Sequence, residues 1–523
     1  MKQKLLLLII TGAFLCSASL FAESPTGADF KWFSAKADQP LLGLDYYFLS
    51  GNENLFYYYQ YNKEIKRRML VKYDAATNKT TSFVLKLNAG GVKRDYRLAE
   101  SLNDSIFIFS SFKNKKQNKY CFYVEDVDLK AFKLKKNPRM IAEINYDDVK
   151  GLKSSDFDVW FSDDKKHILI SYTLQSKDGG ILRYGFKVVD RQFNEVWKFE
   201  DNIPKVQGKW FLNGYRVDQN ANVYMISRSF ENGKDVDKNY GKSKLFVKLI
   251  NKDGTKGDDR ELSLSDNKFI TAQTFLVNKN NELVCAGLYA KQGNESAIGN
   301  FSIICNSGQT SIKSVDSRDF DKTFFTKGMS EKAAQKMEKK IDKDKEFEND
   351  FNYSFGGTMY RSDDGISFII QKKKLIITTV KLDKHMTSTY YNYYYDDIMI
   401  LTYNADGKIM WVQKIPQTQK LVNGERYYGS YIMNIDNDDR MNFIYNLTSS
   451  GLTGIKGSSI KKTVCLSLDK DGNESFLELS PGSGMNGFSP VLSTYLGNRK
   501  FLAGNLNMGF FKVKLNWGVM TLK

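Results

Sequence analysis

A short polar turn that returns along the chain limits what this sequence can fold into more than any other feature. It occupies residues 50–54, 102–104, 163–166, 218–222, 278–282, 362–365, 436–439 and 496–499, and is built mainly from Asn, Asp and Gly. These residues tolerate the positive φ angles that tight β-hairpins require. An apolar, β-branched or aromatic run follows each turn, as at 55–61, 106–109, 223–227, 283–287, 366–370, 441–445 and 500–504, which predicts a strand after every turn. A second series of turns, at 74–78, 251–254, 404–407 and 469–472, follows about a strand pair later. Two independent series therefore share one period of roughly 45 to 65 residues.

Residues 160–203 give the unit most clearly. Strands are predicted at 159–161, 167–174, 184–189 and 195–199, separated by polar turns, so each unit is a small four-stranded antiparallel sheet. About eight such units predict an all-β fold, a β-propeller, with seven blades as the alternative count. The last unit is short; residues 29–35 are expected to complete it by pairing with the C-terminal strands, closing the ring. Aromatic content of 14% with only 7 prolines suits strands joined by Asn/Asp/Gly turns.

The first 22 residues read as an export signal. Lys2 and Lys4 precede an apolar run at 5–15, and Ser19-Leu20-Phe21-Ala22 offers a cleavage region, with cleavage expected after Ala22. Cys16 follows Leu15 rather than a small residue, which speaks against lipidation. Residues 23–523 are then one propeller domain, expected in the periplasm or outside the cell. No later apolar run is long enough for a membrane helix, and a mean hydropathy of -0.45 fits a protein without a membrane-embedded body. Four cysteines remain, Cys121, Cys285, Cys305 and Cys465, each within an apolar strand and expected as a free buried thiol; Cys285 with Cys305 is the one disulfide to test.

The formal charge is +17. Such a balance attracts polyanions such as acidic polysaccharide, yet the lysines are spread without a long block of one sign, so no specific nucleic-acid binding is expected.

In an up-and-down blade, the loops after strands one and three open on one end of the ring and those after strands two and four on the other. The first class is short throughout. The second is long and varied, at 113–119, 175–182, 231–244, 291–300, 383–392 and 449–462. Long loops on a rigid scaffold are where binding resides. On the same end, residues 317–353 break the period as a helical insertion: Ser330 is placed to cap a helix from 331 to about 347, with Ala333, Met337 and Ile341 as its apolar stripe. Lys339 with Asp342, and Lys343 with Glu346, are expected to support it.

Tyr390, Tyr391, Tyr393, Tyr394 and Tyr395, beside a loop containing His385, are the candidate ligand-binding residues. Tyrosines combine a rigid apolar face with a polar tip and suit glycan or peptide contacts. A similar run, Tyr57, Tyr58, Tyr59 and Tyr61, falls in an ordinary strand and is expected to be structural. No catalytic set is assigned: His167 and His385 are the only histidines, His167 opens a strand, and His385 has only Asp383 nearby in sequence. Acidic runs at 436–439 and 469–471 coincide with hairpins and lack the spacing of a calcium loop, so neither metal nor cofactor is expected. A pair of carboxylates distant in sequence stays open as a glycoside-cleaving arrangement.

Residues 74–79, and more loosely 404–411, resemble the turns of pyrroloquinoline-quinone-type propeller repeats, a likeness that implies architecture; that family's adjacent cysteine pair is absent. Residues 362–368 differ in spacing from the sialidase Ser-x-Asp-x-Gly-x-x-Trp box. Signal and repeat together resemble uncharacterised exported propeller proteins of the Bacteroidota, a resemblance that implies no activity. The expected role is a secreted or periplasmic binding propeller that engages a protein, peptide or glycan through its long-loop face. The alternative is a polysaccharide hydrolase or lyase with an acidic site at the channel mouth.

Overall fold

The computed structural model describes residues 27–523 except 40–43, 63–65, 90, 136, 147–151, 177–180, 203–208, 231–242, 266, 292–295, 344–351, 382, 384–385, 449–459, 480–487 and 509–512. The expected signal at residues 1–22, His385 and much of the long loops at 231–244 and 449–462 therefore lie outside the described residues.

Among the described residues eight antiparallel sheets of four or five strands follow one another along the chain, the first seven with their strands in sequence, and a two-stranded ribbon, Asn88–Ala89 with Val92–Lys93, lies between the first and second. The first seven span residues 44–84, 95–145, 152–202, 209–262, 268–319, 352–422 and 431–479; the eighth combines Ser489–Gly497, Lys500–Met508 and Val513–Leu522 with Ala28–Gln39. In that last blade Ala28 pairs with Leu522 and Gln39 with Val513, so the N-terminal strand completes the C-terminal sheet as expected. In the second and sixth blades the outer strand is broken in two, as Lys133–Leu134 with Arg139–Asn145 and as Ile409–Ile415 with Gln419–Val422.

Packing closes the ring. Eight hydrophobic clusters lie between neighbouring blades, the last joining Phe56 and Tyr58 of the first blade to Leu502 and Trp517 of the eighth. Each blade is thus buried on both faces, and its second strand reads as an unbroken apolar run rather than an alternating one. In the third blade Ile168 and Ile170 enter the cluster shared with the second blade, while Leu169 between them enters the cluster shared with the fourth.

Six of the recurring turns share one hydrogen-bonding scheme. In the turns beginning at Asp218, Asn278 and Asp436, the first residue's side-chain oxygen accepts from the backbone N–H groups of the third and fifth residues at 2.8–3.0 Å. The fourth residue takes a left-handed conformation: Ala221 at φ 69°, Asn281 at 59° and Asp439 at 56°. The turns at Asp190, Asn404 and Asp469, between third and fourth strands, use the same scheme. These six turns, drawn from both hairpin positions, obey one rule of chemistry, an Asx acceptor at the first position and tolerance of positive φ at the fourth.

The insertion holds two helices rather than the single one expected. Helix α1, Lys322–Thr326, is capped by Asp321, whose carboxylate accepts from Phe324 N–H at 2.7 Å. Helix α2 covers Glu331–Asp342, so its described length stops short of residue 347, with Lys343 at the C-cap. Ser330 holds the N-cap backbone conformation, but its side chain makes no capping bond. Asp342 pairs with Lys322 of α1 at 2.5 Å rather than with Lys339, because the second helix, invisible in the periodicity, brings a closer cation. The four cysteines among the described residues are free, buried thiols; Cys285 lies opposite Ile303, with Cys305 two residues further along that strand.

Candidate functional site

The two ends of the ring differ in how their polar groups are used. At the short-turn end, turns of neighbouring blades are stitched together. Gln219 N–H donates to the Asn281 side chain at 2.9 Å, Ser362 N–H to Asp439 at 2.8 Å, and Lys279 pairs with Asp364. The hydroxyl of Tyr360, on the inner strand of the sixth blade, also donates to Asp163 of the third at 2.9 Å. These groups are committed to one another.

At the other end the chain projects. Second and third strands are usually about eight to ten residues long, but in the sixth blade they run Ile366–Lys381 and Thr387–Tyr403. Among the described residues the inner strand, Asn352–Tyr360, pairs with residues 366–373. Beyond it, residues 374–381 pair solely with 387–394 among the described residues. Eight residues of strand extend this arm by about 25 Å.

Register decides what the tyrosines do. Tyr391 lies opposite Ile377 and Tyr393 opposite Leu375, so these four share one face; Tyr390 and Tyr394 lie opposite Thr378 and Lys374 on the other. Tyr395 faces Lys373 at the root, where its ring packs on Gly429 and burial pushes its phenol up to about 12. The five predicted residues are thus split between two faces and a root. Exposure is high on the first face, with Leu375 at 50%, Ile377 at 57% and Tyr391 at 43%. By contrast Tyr57, Tyr58 and Tyr59 are buried in the first blade, Tyr59 stacking on Tyr96 at 4.6 Å.

A brace holds the arm's root. Gln419–Val422 pairs with residues 392–395, and Asn423 accepts the Tyr391 N–H at 3.0 Å. Lys420 sits over the ring of Tyr394 and Arg426 over that of Tyr393. The 3-10 segment Asn423–Tyr428 then crosses to distant blades: Tyr427 and Tyr428 enter the cluster between the eighth and first, and Arg426 pairs with Asp45 of the first at 3.0 Å. Buried amides fix the crossing. Gln371 donates to Gln417, Ser430 to Gln371, and Asn446 to the carbonyls of Tyr428 and Phe488, so this polar network is well partnered where leaving it unpaired would be costly.

Next to the arm, helices α1 and α2 roof a cavity of about 120 Å³ lined by Phe324, Phe325, Met329, Met337 and Lys414. The Lys414 amine is buried, donates to the Phe325 carbonyl at 3.0 Å and lies 3.6 Å from Asp397; burial lowers its pKa. Lys414 pins the helical roof to the blade.

Carboxylates whose pKa burial raises are Glu125, Asp218 and Asp396, in the second, fourth and sixth blades. Asp163, in the turn after the inner strand of the third blade, accepts from Tyr360, and Asp45, on the inner strand of the first, pairs with Arg426. Among the described residues no three His, Cys, Asp or Glu side chains form a group able to hold a metal ion. His167 is half-buried at the head of its strand, and burial lowers its pKa.

Fold and site define a class: an eight-bladed β-propeller with one blade drawn out into an arm. The chain matches no family model and no curated protein sequence. Among solved structures it is similar to the WD40 domain of SCAP from fission yeast, at 10% identity over 94% of this chain and 98% of that one, with a TM-score of 0.35. It is similar also to the β-propeller domain of the Trilobed protease from Pyrococcus furiosus (11%, 86% and 95%, 0.31) and to Porphyromonas gingivalis dipeptidyl peptidase 4 (10%, 89% and 56%, 0.41).

Leu375, Ile376 and Ile377, which sequence reading passed over, supply most of the arm's exposed aliphatic surface. The signal for them was present: no turn residue interrupts 366–381, a run nearly twice the length of a blade strand.

Proposed function

We propose that this protein is an exported, non-catalytic binding propeller that engages a macromolecular partner through the arm of its sixth blade. One observation carries the reading. The short-turn end uses its polar groups to join blades, whereas the opposite end raises an apolar and aromatic two-stranded arm into solvent and braces its root with buried hydrogen bonds. Ordering such an arm costs conformational entropy that its few internal contacts return poorly. A partner that buries Leu375, Ile377 and Tyr391 offsets that cost. Export is supported by the positively charged, then apolar N-terminal sequence, and the likeness to exported Bacteroidota propellers fits the same reading.

The test is site-specific photo-crosslinking in the source cells, with a benzophenone amino acid at Ile377 on the arm or at Asp438 on the short-turn end. Adducts concentrated at Ile377 support the reading; equal or greater yield at Asp438 overturns it.

A further inference from the structure

We propose that helix α2 carries an anion-binding row, Lys332, Lys336, Lys339 and Lys340, and that its occupant is a linear polysaccharide bearing carboxylate or sulfate groups. The surface is other than the arm, so the inference stands whatever the arm engages.

Helical geometry sorts the side chains of Glu331–Asp342 into three strips. At 3.6 residues per turn the four lysines fall within about 100° of the circumference, while Glu331, Glu338 and Asp342 occupy a separate strip about 40° wide. Met337 and Ile341 lie on the third side. Packing orients the helix: Met337 lines the cavity with Phe324 and Met329, and Asp342 pairs with Lys322 of α1. The apolar side is thus turned to the roof, and the lysines are left outermost, with Lys332, Lys336 and Lys339 exposed and Lys340 half-buried.

A helix that is merely solvated gains by setting opposite charges four residues apart. Within α2 no pair at that spacing joins an acid to a base, whereas Lys332 with Lys336 and Lys336 with Lys340 are like-charged. None of the four lysines is in an ion pair among the described residues, and Asp342 is taken by Lys322. The row therefore keeps its mutual repulsion, and an anion laid along it removes that cost.

Shape selects the occupant. From Lys332 to Lys340 the row is about 12 Å long at 1.5 Å per residue, and it is one helix face wide. A chain of charged sugars follows such a row, offering successive anions to successive amines. Lysine amines act as separate point charges without the planar fork of arginine, which suits dispersed carboxylates and sulfates. An anionic bilayer is the poorer partner: the apolar side that would enter it is already seated on the propeller, and a flat surface would also meet Glu331 and Glu338. The formal charge of +17 over the whole chain speeds the encounter.

The probe is fluorescein-labelled octagalacturonate, titrated against the full chain by fluorescence anisotropy with neutral maltooctaose as the control. Binding of the charged oligomer alone, weakening about tenfold or more between about 50 and 200 mM salt, is expected. Lys332→Gln/Lys336→Gln/Lys339→Gln/Lys340→Gln should weaken it by about tenfold or more at low salt, and Arg at the same four positions should retain it within about twofold. Lys116→Gln/Lys130→Gln/Lys252→Gln/Lys408→Gln removes the same charge from exposed positions elsewhere and should cost less than about threefold. Circular dichroism and unchanged thermal unfolding exclude misfolding of these surface variants.

No binding of octagalacturonate, equal loss in the two Gln variants, or loss that Arg does not rescue each overturns the inference. So does flotation with phosphatidylglycerol vesicles that needs the four lysines and displaces the oligomer, which makes the occupant a lipid surface. Ile377→Asp should leave the binding unchanged; its loss there moves the contact to the arm and overturns the site.

Discussion

Tyr360 and Asp163 stand 197 positions apart in the chain and three blades apart in the ring, yet the Tyr360 hydroxyl donates to the Asp163 carboxylate at 2.9 Å. The bond ties inner-strand ends that share no blade interface. Tyr360→Phe removes it without changing shape, and a net cost of about 0.5–1.5 kcal/mol is expected. Urea unfolding measures it, and Asp163→Asn combined with Tyr360→Phe should cost little more than the single change.

Arg94 and Glu125 form a nearly inaccessible ion pair at 2.8 Å, with 2% and 4% of their side chains exposed, and Arg94 also donates to Ser110. Burial raises the Glu125 pKa even against its partner. Arg94→Met strands a carboxylate in the second blade, an expected loss of about 3–5 kcal/mol. Adding Glu125→Leu should return most of that, read as recovery of the denaturation midpoint.

Acid should loosen the turns first. The Asp469 carboxyl is held below its ordinary value by hydrogen bonds from Asn473 and the turn backbone, and Asp128 by the N–H groups of Ala131 and Lys130. A carboxylate with a depressed folded pKa contributes stability that is complete above its unfolded value of about 3.9 and is lost as pH falls through the folded one. Asn serves as the same acceptor at 278 and 404. Asp128→Asn/Asp469→Asn should therefore match the parent at pH 7 and lose less stability between pH 5 and about pH 2, followed by chemical denaturation.

Ala221 holds φ 69° where the matching turns place Asn281, Asp439, Phe193, Gly407 and Gly472. A left-handed conformation costs an L-residue about 1–2 kcal/mol, and glycine's extra unfolded-state entropy about 0.5–1. The Ala221 methyl is buried in the core between the third and fourth blades, and losing it costs about 0.8 kcal/mol, so Ala221→Gly is expected to be close to neutral despite the positive φ, read as a nearly unchanged Tm.

The cysteines should be silent. Burial raises the thiol pKa at all four positions, to about 11 for Cys305 and Cys465. Little reaction with a disulfide reagent at pH 8 is expected until the chain unfolds, whereupon the four react together.

The ring was legible because its turns are made by local chemistry: an Asx acceptor and a positive-φ residue identify a hairpin wherever they occur. Closure by the N-terminal strand, expected over 29–35 and found over Ala28–Gln39, and the contrast between the two ends followed from counting strands. Other features depend on partners remote in sequence. Helix α1 is only five residues long, too short for a period to show. The seat of Tyr427 and Tyr428 against the first and eighth blades is set by packing across the ring. The sorting of Tyr390 to Tyr395 between two faces needed the register, which a run of consecutive tyrosines does not announce.

The strand from Ala28 to Gln39 is the outer edge of a sheet whose remaining members are Ser489–Gly497, Lys500–Met508 and Val513–Leu522. A ribosome therefore delivers one half of the latch almost five hundred residues before the other. Until the final ten residues emerge, seven finished blades must wait as an open arc, with greasy flanks at both ends. Proteases and holding factors act on that interval, and a tag fused just ahead of Ala28 would lie on the clasp itself.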